Sequence, residues 1–208
     1  MDRKEVLEKI KEWLDNNSEE GENTKYTMEI GKIAFKKGYL LKGQFLLFAE
    51  WKLYTGRFKE PNLRKCDKNS YDKIKTITGK ALNIIKKSNP KDDLTQVKEA
   101  IDILDDELEG VGVPVASSVL TLMCPERFGV IDTLQLPKIF DKFDRELFQN
   151  YKNIEKWFTR CNKEEKKNKY CTVEEYIEYL DFIRGLAEDL NKNTRDVERA
   201  LFELAKNP

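Results

Sequence analysis

Apolar residues recur at helical spacing along almost the whole chain. Over residues 2–15, Val6, Ile10, Trp13 and Leu14 share one face of an otherwise charged segment, which predicts an amphipathic helix. Residues 25–38 and 43–55 predict two more. The second of these, with Phe45, Leu46, Leu47, Phe48 and Trp51, is apolar almost all round, as a central core helix is. Residues 56–70, with Gly56, Pro61 and Asn62, read as a broken polar connection. Helix resumes over 70–87 and stops at Asn89-Pro90, because proline pushes the residue before it out of the helical region. Segment 92–108 predicts another helix, and after Gly110-Val111-Gly112 an apolar helix runs to about Cys124. Further helices are expected from near Thr133, carrying Ile139 and Phe140, and over 145–160, 173–190 and 195–206. Thr172-x-x-Glu175 is a capping box for the helix at 173. No alternating run marks a strand, so the expected fold class is all-α.

Composition narrows the chemistry. A chain of 208 residues can bury a real core, as one domain or as two small helical lobes. No stretch approaches the roughly 20 apolar residues of a membrane span, so no membrane partner is expected. Met1-Asp2-Arg3-Lys4-Glu5 leads straight into the first helix; no signal peptide and a cytoplasmic location are expected, nucleoid-associated if the chain binds DNA. With no histidine, imidazole metal sites and Ser-His or Cys-His nucleophiles are excluded. Cys66, Cys124, Cys161 and Cys171 form no C-x2-C pair. They are expected to be buried as small apolar residues, with no metal and no other cofactor.

Lys+Arg and Asp+Glu each number 38, yet the charges are segregated. Between Lys52 and Lys91 twelve basic residues face three acidic ones, whereas 92–109 is acidic. A basic face suits a polyanion. Solvated helix faces give the same pattern and are its commoner cause.

The informative stretch is Leu104 to Ser117. An apolar helix end at Leu104 and Leu108 meets Gly110-Val111-Gly112, and a second apolar helix follows at once. The glycines permit backbone angles closed to other residues and leave no bulk between turn and ligand. Val111 is expected to tuck between the helices, and Ala116 to let them approach. Pro114 falls in the first helical turn, where its missing N–H has no intrahelical partner. The free amides of Gly110, Val111, Gly112 and Val113 at a helix N-terminus, with the Ser117 hydroxyl, suit a DNA phosphate without reading sequence.

This stretch resembles the helix-hairpin-helix motif, G-h-G-x-x-x-A after an apolar helix end. The segment Pro125-Glu-Arg-Phe-Gly129-Val-Ile-Asp132-Thr133 extends the resemblance to the helix-hairpin-helix DNA glycosylases, whose Gly/Pro-containing loop carries a catalytic aspartate before the next helix. In the endonuclease III-like branch that aspartate lies eighteen residues after the lyase lysine; here the positions are Pro114 and Asp132. Lys80-Ala81-Leu82-Asn83-Ile84-Ile85 also resembles that branch's preceding helix, so specific likeness covers about 80–133.

The resemblance implies a two-lobed helical glycosylase-type fold. One lobe would be 25–133, containing the hairpin (104–124) and the aspartate loop (125–133), and the other 134–208, joined by 1–24. It implies double-stranded DNA as partner and Asp132 as the group stabilising an oxocarbenium-like transition state or activating water after base flipping. Pro114 has no amine, so a glycosylase of this type would be monofunctional. Three departures stand beside this. Leu108-Glu109 replaces the family's Leu-Pro, Glu107 and Glu109 put negative charge beside the phosphate site, and Leu134-Gln135-Leu136-Pro137 follows Thr133 where the family often has His and then Arg. Asp132 also reads as an N-cap for a helix at Thr133. Trp51, Tyr54 and Arg57 are the candidates for a base pocket, although Trp51 reads equally as core and Arg57 as an ordinary surface charge. Three functions stay open: a monofunctional glycosylase, a non-catalytic DNA-binding module on the same scaffold, and a helical interaction protein in which Gly-Val-Gly is only a turn.

Overall fold

The computed structural model describes residues 1–17, 19–53, 59–90, 92–133, 136–140, 142–162 and 170–206. These residues are all-helical, without a strand among them. The helices are α1 (Arg3–Asn16), α2 (Glu22–Lys37), α3 (Lys42–Leu53), α4 (Lys59–Lys68), α5 (Tyr71–Lys87), α6 (Leu94–Glu107), α7 (Val113–Met123), α8 (Leu136–Phe140), α9 (Lys152–Asn162), α10 (Val173–Leu190) and α11 (Thr194–Lys206), with a 3₁₀ turn at Arg145–Phe148. No described helix is long and apolar enough to cross a membrane. The chain divides into two compact units, Glu20–Phe128 and Met1–Glu19 with Gly129–Pro208. The sequence reading placed these divisions at 24/25 and 133/134, so it grouped Asp132 with the hairpin; the structure groups it with the C-terminal helices.

In the Glu20–Phe128 unit α7 is the central element. Apart from Pro114, all its residues are buried, against α2, α3 and α6. Such burial requires a helix that is apolar all round, as its sequence is. At Gly31 of α2, a Cβ would run into the Leu122 carbonyl, so the glycine sets how closely α2 meets α7. Helices α5 and α6 pack against each other. Ile74, Ile77, Ala81, Leu82 and Ile85 line the buried face of one, and Val97, Ala100, Ile101 and Leu104 that of the other. Each large aliphatic side chain so buried contributes about 1.5–3 kcal/mol. Arg127 clamps the open end of this pair. Its guanidinium donates to the Asp93 carboxylate at 2.5 Å, the Ser88 hydroxyl at 2.8 Å and the Ile85 carbonyl at 3.1 Å. Asp93 is fully buried, and a buried carboxylate is tolerable only with such partners.

In the other unit α10 is central, with Tyr176, Tyr179, Leu180, Phe182, Ile183 and Leu186 buried. The Thr172–Glu175 capping box forms: Glu175 N–H donates to the Thr172 hydroxyl at 3.3 Å, and Thr172 N–H to the Glu175 carboxylate at 2.8 Å. Phe140 stacks on Phe158 with ring centroids 4.0 Å apart, and Phe143, Phe148 and Phe182 close around them.

Two sequence expectations need correction. The polar connection expected over 56–70 is helical from Lys59 to Lys68, because Pro61 falls in the first turn, where its missing N–H costs no helical bond. The single helix expected over 145–160 is instead a 3₁₀ turn and a separate α9. The Glu178 carboxylate of α10 starts α9 afresh by accepting the N–H groups of Asn153 at 2.7 Å and Ile154 at 3.0 Å, a negative charge where the helix dipole favours one. The described part of α8 begins at Leu136, whose N–H donates to the Asp132 carbonyl at 3.3 Å, the i to i−4 bond that an N-cap residue accepts.

Candidate nucleic-acid interface

The hairpin joins α6 to α7 by way of Leu108–Gly112. Leu108 leaves the helix in an extended conformation, and Gly110 turns the chain through the left-handed region at φ 79°. Val111 N–H closes the turn on the Leu108 carbonyl at 3.3 Å, and the Val111 side chain is buried. Gly112, at φ −112° and ψ 173°, precedes α7, and its carbonyl accepts the N–H groups of Val115 and Ala116, each at 2.9 Å.

The two glycines have different jobs. A Cβ at Gly110 would lie 2.8 Å from each of the Asn62 carbonyl oxygen, the Cys66 nitrogen and Lys65 Cβ, so the turn is seated on the backbone of α4. At Gly112 the nearest atom to such a Cβ is the Pro114 ring, at 3.8 Å. Packing inside the protein requires glycine at the first position and leaves the second open.

Asn69, which the sequence reading passed over, holds the turn. It is 2% exposed. Its side-chain oxygen accepts the Glu109 N–H at 3.0 Å, and its amide donates to the carbonyls of Glu109 and Cys66, both at 2.9 Å. A single asparagine between two polar helices carries no local signal of this role; only the packing of α4 on the hairpin gives it one. Cys66 sits beneath, and burial pushes its thiol up to about 11.

Charge around the hairpin is mixed. Glu107, expected to oppose a phosphate, pairs with Lys80 at 3.5 Å. Glu109 is exposed. Arg64, Lys65 and Lys68 of α4 and Lys73 of α5 are exposed and form no ion pair among the described residues. Further along α6, burial and then the charges of Asp106 and Asp102 raise the Asp105 carboxyl above its usual range.

The remaining candidates fall as follows. Val113 is buried, as is Ser117, whose hydroxyl donates to the Pro114 carbonyl at 2.9 Å. The Ser117 side chain therefore does not face solvent as a phosphate contact would. Trp51 is half-buried, and its indole N–H donates to the Thr24 hydroxyl at 3.1 Å, tying α3 to α2. Tyr54 and Arg57 lie outside the described residues. No cluster of cysteine and carboxylate groups among the described residues could hold a metal ion.

Asp132 is half-buried at the end of a non-helical run, Gly129–Asp132, that is tied to α10. The hydroxyl of Tyr176 donates to the Gly129 carbonyl at 3.2 Å and that of Tyr179 to the Val130 carbonyl at 3.5 Å. A Cβ at Gly129 would lie 2.5 Å from Ile183 and 3.0 Å from Glu198, so this run is also pressed onto α11. Burial, and then the Glu198 charge, hold the Tyr179 hydroxyl well above its usual range, with Asp132 adding a smaller push in the same direction. Glu198 itself is buried and paired with Arg195. Asp132 thus ends a firmly held stretch of backbone. Comparison with protein families, with curated proteins and with solved structures gives no match. The functional reading therefore rests on the chain's own residues.

Proposed function

We propose that this chain binds duplex DNA through the α6–α7 hairpin and acts as a monofunctional N-glycosylase of the helix-hairpin-helix type. The observation that carries the reading is the open space at Gly112. Gly110 is explained by its left-handed backbone and by α4, but nothing inside the protein explains a second glycine at the start of α7. A bare backbone at a helix N-terminus is what a phosphate oxygen needs in order to reach N–H groups, and the unpaired cations of α4 supply a matching field. In the reaction, water adds to C1′ of a flipped nucleotide as the C1′–N bond breaks and the base leaves with a proton. The Asp132 carboxylate stabilises the positive charge developing on the sugar or orients the water. Pro114 offers no amine, so the abasic strand stays intact.

The experiment is base release from duplexes that each carry one damaged or mismatched base, comparing wild type with Asp132→Asn before and after hot alkali. Strand breaks that require alkali and vanish in Asp132→Asn support the reading. Breaks without alkali would assign lyase chemistry to a lysine elsewhere. Salt-sensitive binding without release would favour a non-catalytic DNA-binding module, a reading supported by the Leu134-Gln135-Leu136-Pro137 run after Thr133. Neither binding nor release would leave the hairpin as a structural turn.

A further inference from the structure

A second group of uncompensated cations in the Glu20–Phe128 unit gathers on one aromatic ring away from the hairpin sequence. Helix α2 ends at Gly38, in the left-handed region at φ 91°. The chain then crosses α5, where Leu40 N–H donates to the Thr78 hydroxyl at 3.0 Å, and that hydroxyl donates to the Ile74 carbonyl at 2.7 Å. Gly79 completes the seat, since a Cβ there would meet the Gly38 carbonyl at 3.6 Å and Tyr39 Cβ at 3.8 Å. This docking is buried and hydrogen-bonded, so Tyr39 is held at a fixed place on α5.

Lysines from both helices converge on that place. Lys37 Nζ lies 4.6 Å from the centroid of the Tyr39 ring, and Lys75 Nζ lies 5.0 Å from the same centroid. Beside them, Lys86 Nζ donates to the Lys36 carbonyl at 3.3 Å and lies 5.2 Å from the Phe35 ring. All four lysines are exposed, and none forms an ion pair among the described residues. The ring attracts each ammonium weakly, but the two like charges repel one another and no described carboxylate pairs with either. An anion bridging Lys37 and Lys75 removes that repulsion. Four other lysines of the unit are paired instead: Lys32 with Glu29, Lys42 with Asp67, Lys59 with Glu50 and Lys98 with Asp102.

We infer that the Lys37–Tyr39–Lys75 cluster is a second phosphate-binding contact, which takes the sugar–phosphate backbone of DNA without reading its sequence. The inference rests on the DNA-binding reading above and adds a surface that the hairpin does not supply. Two lysines on a shared aromatic ring give point charges for phosphate oxygens and no base-edge pattern, so the contact contributes affinity rather than specificity.

The test measures binding of the full chain to a short undamaged duplex over a range of salt, for wild type, Lys37→Gln/Lys75→Gln and the control Lys32→Gln. Neutralising two phosphate contacts should make the slope of log K against log salt shallower by about 1.8 and weaken binding about sixty-fold at about 0.1 M salt. Lys32→Gln, on the same helix but already paired with Glu29, should keep the wild-type slope. Unchanged thermal melting of the double variant would confirm that only charge was removed. A double variant with the slope of the control would overturn this inference and leave the DNA-binding reading standing. Wild type without salt-sensitive duplex binding would overturn that reading and this contact with it. Loss of binding to phosphatidylserine vesicles with duplex binding intact would assign the cluster to a membrane surface and overturn the inference.

Discussion

Replacing Gly110 by alanine separates what the hairpin needs in order to fold from what it needs in order to bind. Two costs follow from the geometry. An L side chain at φ 79° is strained by about 1–2 kcal/mol. The new Cβ would also press on the Asn62 oxygen, the Cys66 nitrogen and Lys65 Cβ at 2.8 Å. The first two are backbone atoms of one helix and cannot swing aside, so an overpacking cost of about 1–3 kcal/mol applies. Loss of glycine's freedom in the unfolded chain returns about 0.4–1 kcal/mol. The net expectation is a destabilisation of about 1–5 kcal/mol, a large share of the total stability of a small domain. Gly112→Asp is the counterpart. Its φ of −112° suits any residue, nothing obstructs the new side chain, and aspartate is a favoured N-cap. Stability should therefore hold or rise by a few tenths of a kcal/mol, while a carboxylate now occupies the place proposed for phosphate. Urea titration measures the first effect, hydrogen exchange resolved by peptide locates it, and duplex binding measures the second. Gly110→Ala should lose protection across 59–128 and keep it across 173–206. A Gly110→Ala protein within about 0.5 kcal/mol of wild type would refute the account of the turn. A Gly112→Asp protein that binds duplex as wild type does would refute the account of the open amides.

Asn69→Ala should cost about 1–3 kcal/mol, because it strands the Glu109 N–H and two carbonyls, and amide exchange at Glu109 should rise with it. At Asp105, burial and the neighbouring carboxylates raise the folded-state pKa, so its contribution to stability is present below the ordinary aspartate range and is lost as pH rises through the raised value. Asp105→Asn should then be more stable than wild type near neutral pH by about 0.3–1 kcal/mol, with the gap closing in acid; thermal melts at several pH values read this directly. Cys66, Cys124 and Cys171 are buried and Cys161 is half-exposed, so a thiol reagent under native conditions should modify Cys161 first and reach the others only on unfolding, as peptide mapping would show.

Periodicity alone was enough to read the helices with a one-sided or uniform apolar pattern. The face Val6–Ile10–Leu14 of α1 and the all-apolar α7 are each stated by their own residues, because a helix must bury the stripe it carries. The Gly-Val-Gly turn and the Thr172 capping box were legible for the same reason: their chemistry is local. α4 was not legible, since it has little apolar face of its own and is held through Cys66 and its seat against the hairpin. The break between the 3₁₀ turn at Arg145–Phe148 and α9 was equally hidden, being made by Glu178 some 25 residues away. Likewise, the spacing from Pro114 to Asp132 counts residues, but cannot say that the hairpin belongs to one unit and the aspartate to the other. Side chains of one type also part company once folded. Gly110 is demanded by α4 and Gly112 is not; Lys80 is paired and Lys75 is left on a ring. The sequence by itself determined which segments are helical and where the chain can turn, because those follow from neighbours within a turn or two. Only the tertiary structure decided which of those residues hold the protein together and which are left facing outward, because that depends on partners brought close from far along the chain.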